Sequence, residues 1–293
     1  MPDSPNSSPT TTTLYQGYGW REEFPADHEI ATLEEFVELV NDAVPGEDWV
    51  YRGHPCFQNG LWPSVERICA ELQSDSPLSI LRSYETFTLS EFQRRAHHYH
   101  RNLPLPEATF EWLALMQHHG VPTRLLDFTF SPFVALFFAL WKRDQDAAIW
   151  AINRRLLLQQ AFEVLHDGGG NPPHKITSEP RKMSDYATSH LTKSSHVMPR
   201  AVLLAAPFMM NERLARQQGL FLFALGNSRF GDSLQAVIGK QRSKLIKKIK
   251  IVNHERVRFL RGLHQMNITP ESLFPGLDYY ASSLTVRFEV EQA

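Results

Sequence analysis

Three groups of residues have the types and spacing to do chemistry. Arg52 is followed by Gly53 at the end of a short run with strand character, Trp49-Val50-Tyr51. A guanidinium offers a planar fork of donors, and a neighbouring glycine lets a ligand approach the backbone closely. Such a corner suits phosphate, ribose or carboxamide recognition; the bland reading is an internal ion pair of Arg52 with Asp127 or Glu85 and a turn at Gly53. The second group is Arg124 with Asp127, set among Leu125, Leu126 and Phe128 in the most apolar region of the chain. Burying an unpaired charge costs several kcal/mol, so both residues must find partners or line a polar cleft cut into the core. His118 and His119 form the third group. They either stabilise the negative end of a helix or reach the cleft as acid and base groups.

The elements that must position these groups follow from local pattern. Glu107 to His119 reads as a helix, with Phe110, Leu113 and Ala114 on one stripe; Gly120 stands where a left-handed cap belongs and Pro122 stops continuation. Thr123 to Thr129 reads as a strand, with Arg124, Leu126 and Phe128 on one face and Thr123, Leu125 and Asp127 on the other. Ser131 followed by Pro132 starts a helix expected to run to about Arg143, and its apolar residues leave no polar face, so the protein must enclose it.

Elsewhere, helices are expected over Leu33–Ala43, across a helical half from Leu78 to His119, and over Glu255–Met266 and Pro270–Phe274. Strands are expected over Trp49–Arg52, Ala147–Ile152, Ala201–Phe208, Leu220–Leu225 and Lys248–Val252. Gly168-Gly169-Gly170 and Pro172-Pro173 break the pattern after the Ala147 strand, and Ser178 to Ser195 is weakly patterned. Residues 165–198 therefore read as a mobile insertion, and residues 1–15, rich in Ser, Thr and Pro, as a disordered tail. The remainder, 16–293, reads as one domain.

Composition narrows the function classes. A formal charge of -2 argues against nucleic-acid binding by the whole surface, though not by a local patch. Two cysteines, Cys56 and Cys69, are too few for a disulfide framework or a zinc cluster, which points to a reducing cytoplasm. The longest apolar run, Phe133 to Trp141, is far short of the roughly 20 residues that span a bilayer. His97, His98 and His100 read as a solvated face, since only His97 and His100 share a side of a helix, and no metal is expected. The run Lys240, Arg242, Lys244, Lys247, Lys248, Lys250 also reads as a solvated strand face, with nucleic acid or an acidic partner as its functional counterpart. No Walker loop, dinucleotide glycine turn, nucleophile elbow or zinc signature occurs.

Trp49-Val50-Tyr51-Arg52-Gly53 together with the segment from Gln117 to Ala139 resembles the FRG domain, a bacterial module named for its aromatic-Arg-Gly signature. The likeness extends to Leu61-Trp62-Pro63-Ser64-Val65-Glu66-Arg67, to Arg213 with Gln217, Gly219 and Phe221, and to Ser272-Leu273-Phe274-Pro275-Gly276-Leu277-Asp278, so it covers roughly Ile30 to Leu284. The order Arg52-Gly53, then Thr123 with Thr129 before a helix, then Gln217 or Gln218, also resembles ADP-ribosyltransferase folds. It departs from them where those enzymes carry a glutamate, because an amide cannot supply the same electrostatic stabilisation to an oxocarbenium-like transition state.

The resemblance implies an α+β fold with a split, mostly antiparallel sheet and a large helical subregion, and an ADP-ribosyltransferase-like or NAD-glycohydrolase effector in bacterial antiphage defence or a toxin system. NAD would be its substrate. Tyr51, Arg52, Gly53, Thr123, Arg124 and Asp127 would bind it, with Arg52 on phosphate or ribose and the Gly53 backbone at the carboxamide. Arg52, Gln217 and His119 would carry catalysis, Gln217 at the ribose. A protein or nucleic-acid acceptor and an antitoxin or defence partner would follow, with no membrane partner. The alternative is a noncatalytic nucleotide-sensing or nucleic-acid-binding module. An acidic group in the pocket supports transfer; a cleft of arginines and amides alone supports binding.

Overall fold

The computed structural model describes the chain apart from residues 1–24, 43–47, 72–76, 142–144, 168–179, 192–198, 227, 240 and 293. The expected tail, most of the expected insertion, Lys240 and the end of the helix drawn to Arg143 lie outside the described residues. The chain opens with β1 (His28–Ile30), α1 (Leu33–Asp42), β2 (Trp49–His54), α2 (Ser64–Glu71), α3 (Pro77–Ala96) and α4 (Thr109–His118). It continues with β3 (Leu126–Thr129), α5 (Pro132–Leu140), β4 (Ala147–Asn153), α6 (Arg154–Asp167), α7 (Pro180–Leu191), β5 (Val202–Ala205), α8 (Glu212–Arg216) and β6 (Gly219–Ala224). It closes with α9 (Phe230–Ile238), α10 (Arg242–Leu245), β7 (Ile246–Ile251), α11 (Arg256–Gln265), α12 (Pro270–Leu273) and α13 (Leu277–Gln292). Among the described residues no helix is long and apolar enough to cross a membrane.

The fold is α+β, built on one seven-stranded sheet in the order β1-β7-β4-β2-β3-β6-β5. Every neighbouring pair is antiparallel except β1 with β7. Pairing is uneven at the centre. β2 meets β4 in register from Trp49–Asn153 to His54–Ala148, whereas β2 and β3 are joined at the single pair Tyr51–Thr129. The sheet therefore opens between β2 and β3, and Arg52 stands beside the opening.

Strand alternation sorts the core onto two faces. Tyr51, Ile149 and Ile249 pack with α5, α1 and α11, while Val50, Trp150 and Ile246 pack with α4, α6 and α9. Ser131 caps α5 by accepting the Val134 N–H at 3.3 Å, and Pro132 occupies its first turn. Enclosure of α5 follows from its composition: Val134 to Phe137, Ala139 and Leu140 are buried. Thr269 and Ser272 form a capping box at α12, beside Pro270.

Several elements differ from their sequence patterns. β3 starts at Leu126 instead of Thr123, because the Thr123 backbone is taken by α2: its N–H donates to Ser64 Oγ at 3.1 Å and its carbonyl accepts the Val65 N–H at 3.2 Å. α6 and α7 occupy much of the stretch read as irregular. α7 was hidden because its buried stripe of Met183, Ser184, Ala187 and His190 is half polar. Ser184 donates to Glu111 of α4 at 2.7 Å, and the same buried carboxylate accepts the Phe208 N–H at 2.6 Å, tying α7 and the loop after β5 to α4.

Candidate functional site

The site grows from the end of α4. Gly120, at φ +81, takes the left-handed conformation that ends the helix, and its N–H returns to the Gln117 carbonyl at 3.0 Å. This turn aims Gln117 and His118 at β3. Gln117 is a hub: its Oε1 accepts the Thr123 hydroxyl at 2.5 Å, and its Nε2 donates to the Leu125 carbonyl at 3.2 Å and to Asp127 Oδ2 at 2.9 Å. Those partners fix which end of the amide faces which way. On the far side, Asn211 caps α8 by accepting the Leu214 N–H at 2.8 Å, and α8 carries Arg213 with its guanidinium 4.8 Å from the centre of the Phe274 ring.

Between α4, β3 and α8 lies a cleft of about 190 Å³, lined by Gln117, His118, Asp127, Arg213, Gln217 and the Phe221 ring among others, with Ser64 of α2 at its border. Asp127 is the one carboxylate among the lining residues, and its side chain is 58% exposed. Arg52 stands behind it: Nη1 donates to the Asp127 carbonyl at 2.7 Å and lies 3.7 Å from Asp127 Oδ2. Arg52 thus satisfies a carbonyl beside the opening between β2 and β3. His118 Nδ1 is buried and has no hydrogen-bond partner among the described residues. Burial holds the His118 pKa below its ordinary value, and the charges of His119, Arg213 and His100 act the same way, so near neutral pH the imidazole is an uncharged base facing the cleft.

The expected site residues divide. Asp127 and Gln217 line the cleft and Arg52 borders it. Gln217 is nonetheless committed, its Nε2 donating to the Leu273 carbonyl at 3.2 Å and its own carbonyl accepting from Thr129 Oγ1 at 2.7 Å. Gln218, at φ 48, takes the left-handed step out of α8 and is exposed. His118, not His119, faces the cleft. His119 is exposed at the end of α4, with Phe92 and His100 as ring neighbours, because consecutive helical residues point about 100° apart.

Four residues have structural partners that account for them. Tyr51 is buried against α5, which pushes its pKa up to about 12. A Cβ on Gly53 would stand 1.9 Å from the Ala135 carbonyl oxygen, so this glycine lets α5 lie on β2. Thr123 is 1% exposed and bonded to Gln117, Ser64 and Leu125. Arg124 makes a fork-to-fork pair with Glu85 of α3, Nε to Oε1 at 2.7 Å and Nη2 to Oε2, while Nη1 donates to the Gly226 carbonyl at 2.7 Å. Burial alone would lower the Arg124 pKa, but Glu85 raises it above its ordinary value. The bland reading of Arg52 named the wrong partner in Glu85, which belongs to Arg124, and a fitting one in Asp127.

Gln117 went unread as a site residue, since nothing in a helix pattern marks the one amide that will meet a strand. Among the described residues no group of three or more His, Cys, Asp or Glu could hold a metal ion.

A single open sheet, with helices on both faces and a polar cleft between α4, β3 and α8, defines the architecture around this site. Residues 47–148, which hold β2, α2, α3, α4, β3 and α5, match the FRG domain family model. The chain therefore carries an FRG domain over that segment. No curated protein and no solved structure matches the chain.

Proposed function

We propose that the cleft binds a nucleotide, with NAD as the ligand, and that the protein is an ADP-ribosyltransferase-like effector. The observation that carries this reading is the junction of β2, β3 and β6. The three segments joined by the transferase resemblance, Arg52-Gly53, Thr129 and Gln217, lie on or directly beside three neighbouring strands. A carboxylate, a neutral histidine and the Arg213 guanidinium line the cleft there, and Arg52 stands 3.7 Å behind the carboxylate. Cleavage of the nicotinamide glycosidic bond develops positive charge on the ribose, which the exposed Asp127 carboxylate would stabilise. His118, a lining residue that burial keeps uncharged, would take the proton of the attacking acceptor. Phe221 and Arg213 would flank the ring system. At about 190 Å³ the open cleft suits the nicotinamide riboside end and leaves the rest of the dinucleotide outside. The acceptor class, protein or nucleic acid, and the setting in bacterial defence or a toxin pair belong to this same reading.

One observation favours noncatalytic nucleotide sensing as the second reading: Gln217 stands where transferases carry glutamate, and its amide is already bonded to Leu273. Calorimetry with NAD and a nicotinamide-release assay separate the two. Wild type is expected to bind NAD and release nicotinamide. Asp127→Asn is expected to lose release while costing less than about 1 kcal/mol of stability, since its carboxylate is 58% exposed and stands 3.7 Å from Arg52. Binding without release in any sample supports the sensor; a folded protein with neither refutes NAD as the ligand.

A further inference from the structure

Helix α13 is apolar on two sides. Its inner side fixes it on the domain: Tyr279 stacks on Phe274 with ring centres 4.4 Å apart, and Val286 and Val290 pack against the cluster that holds Leu260 and Leu263 of α11. Buried Ser283 donates to Glu271 at 2.8 Å, and Arg256 pairs with Glu289 at 2.8 Å. The outer side has no such cover. Leu277 is 78% exposed, Tyr280 46%, Leu284 46% and Phe288 64%, more exposed large apolar side chains than any other element carries among the described residues. At 3.6 residues per turn these four fall within an arc of about 80°, roughly 130° round the helix from the inner stripe. Single exposed apolar residues are ordinary, but a contiguous stripe is not, and a helix apolar on both sides needs cover on both.

The spacing of the stripe states what covers it. Tyr280 and Leu284 stand equally far from position 282, and Leu277 and Phe288 are equidistant from it to within one residue. A second α13 laid antiparallel, with the two-fold axis near residue 282, therefore sets each Tyr280 against Leu284 of the other copy and each Leu277 against Phe288, with Ala281 leaving room at the crossing. Charge fixes the direction. The last turn of α13 holds Glu289 and Glu291 and no basic residue, so these carboxylates sit at the negative end of their own helix. Glu289 is tied to Arg256, whereas Glu291 lies on the outer side, 3.0 Å from Arg287. Parallel pairing would bring two acidic ends together; antiparallel pairing lays each against the positive start of the other helix.

We propose that α13 is the interface of a two-fold homodimer, an antiparallel helix pair closed by Leu277, Tyr280, Leu284 and Phe288 of each copy. No residue of α13 lines the cleft, so the assignment is independent of the nucleotide reading.

The test is sedimentation velocity on the full chain between about 1 and 100 µM, for wild type, Leu284→Glu, Phe288→Glu and, as a control, Phe87→Glu, which replaces an aromatic of α3 that is 67% exposed. Circular dichroism verifies folding, and Phe288, the more exposed of the two stripe positions, keeps the test open if Leu284→Glu unfolds. Wild type is expected to sediment as a dimer, each stripe variant to raise the dissociation constant at least about 100-fold and run as a monomer, and the control to match wild type. In a Cys56→Ser background, mixed Leu277→Cys and Phe288→Cys chains are expected to form an intermolecular disulfide under mild oxidation, and either chain alone is not. A wild type that stays monomeric at about 100 µM, a dimer that survives both stripe variants, or equal loss in the control overturns the interface. Efficient cross-linking of Leu277→Cys chains to one another overturns the antiparallel arrangement. A monomer that co-sediments with anionic phospholipid vesicles, and ceases to in Phe288→Glu, gives the stripe to a membrane surface and overturns the second copy as its occupant.

Discussion

Replacing Gly53 by alanine tests the central packing of this fold and separates two roles for the glycine. The added Cβ would stand 1.9 Å from the Ala135 carbonyl oxygen and 2.7 Å from the Ala139 nitrogen, both backbone atoms of α5. Neither can rotate away. Relief requires α5 to retreat from β2 by more than 1 Å, to bring the closest contact beyond 3.0 Å. That helix buries Val134, Leu136, Phe137 and Leu140, so the retreat opens space along its whole inner face. Overpacking costs typically about 1–3 kcal/mol, and an immovable backbone places this case at about 3 kcal/mol or more. The melting temperature should fall by roughly 6–12 °C, followed by circular dichroism or scanning fluorimetry. Gly120 supplies the contrast: a Cβ there meets nothing within 4 Å, but φ is +81, so Gly120→Ala should cost only about 1 kcal/mol and Gly120→Asn less. A Gly53→Ala protein that melts within about 2 °C of wild type yet loses its ligand would refute the packing argument and return the residue to the binding site.

Arg124→Ala should lose about 3 kcal/mol in guanidinium titration, because it strands the part-buried Glu85 and the Gly226 carbonyl; Arg124→Lys should recover little, since an ammonium cannot reproduce the fork, and a near-neutral Arg124→Ala would show the pair to be dispensable. Stability should also fall as pH rises from about 4.5 to about 7, through Glu66. Burial raises its folded pKa to about 7, so the protonated form is favoured in the fold, its contribution is full below the unfolded value, and it is lost as the pH passes the folded one. The loss is at most about 3 kcal/mol. Glu66→Gln retains an acceptor for the Phe230 N–H and should flatten that slope; an unchanged pH profile in this variant would rule Glu66 out as its source.

Local pattern alone determined the elements around the site. Ser131-Pro132 and Thr269-Pro270 begin helices here because a capping oxygen and a fixed φ act within one turn. Gly120 and Pro122 end α4 for the same kind of reason. The amount of apolar residue in α5 forced its burial, and the charges of Arg124 and Asp127 in an apolar region required partners. Which partners they found was a tertiary matter. Glu85 lies 39 residues from Arg124, and the carboxylate that Arg124 takes is set by where α3 lies against α2 and α4. Asp127, two residues from buried Leu125, is exposed because the sheet opens beside it, and no periodicity encodes an opening between two strands 75 residues apart. The choice of His118 over His119 turned on the last turn of one helix. The role of Gly53 depended on a helix that the sequence places more than 75 residues later. Short-range sterics are written in neighbouring residues; long-range pairing depends on the whole chain closing, and the cleft between α4, β3 and α8 exists only once it has.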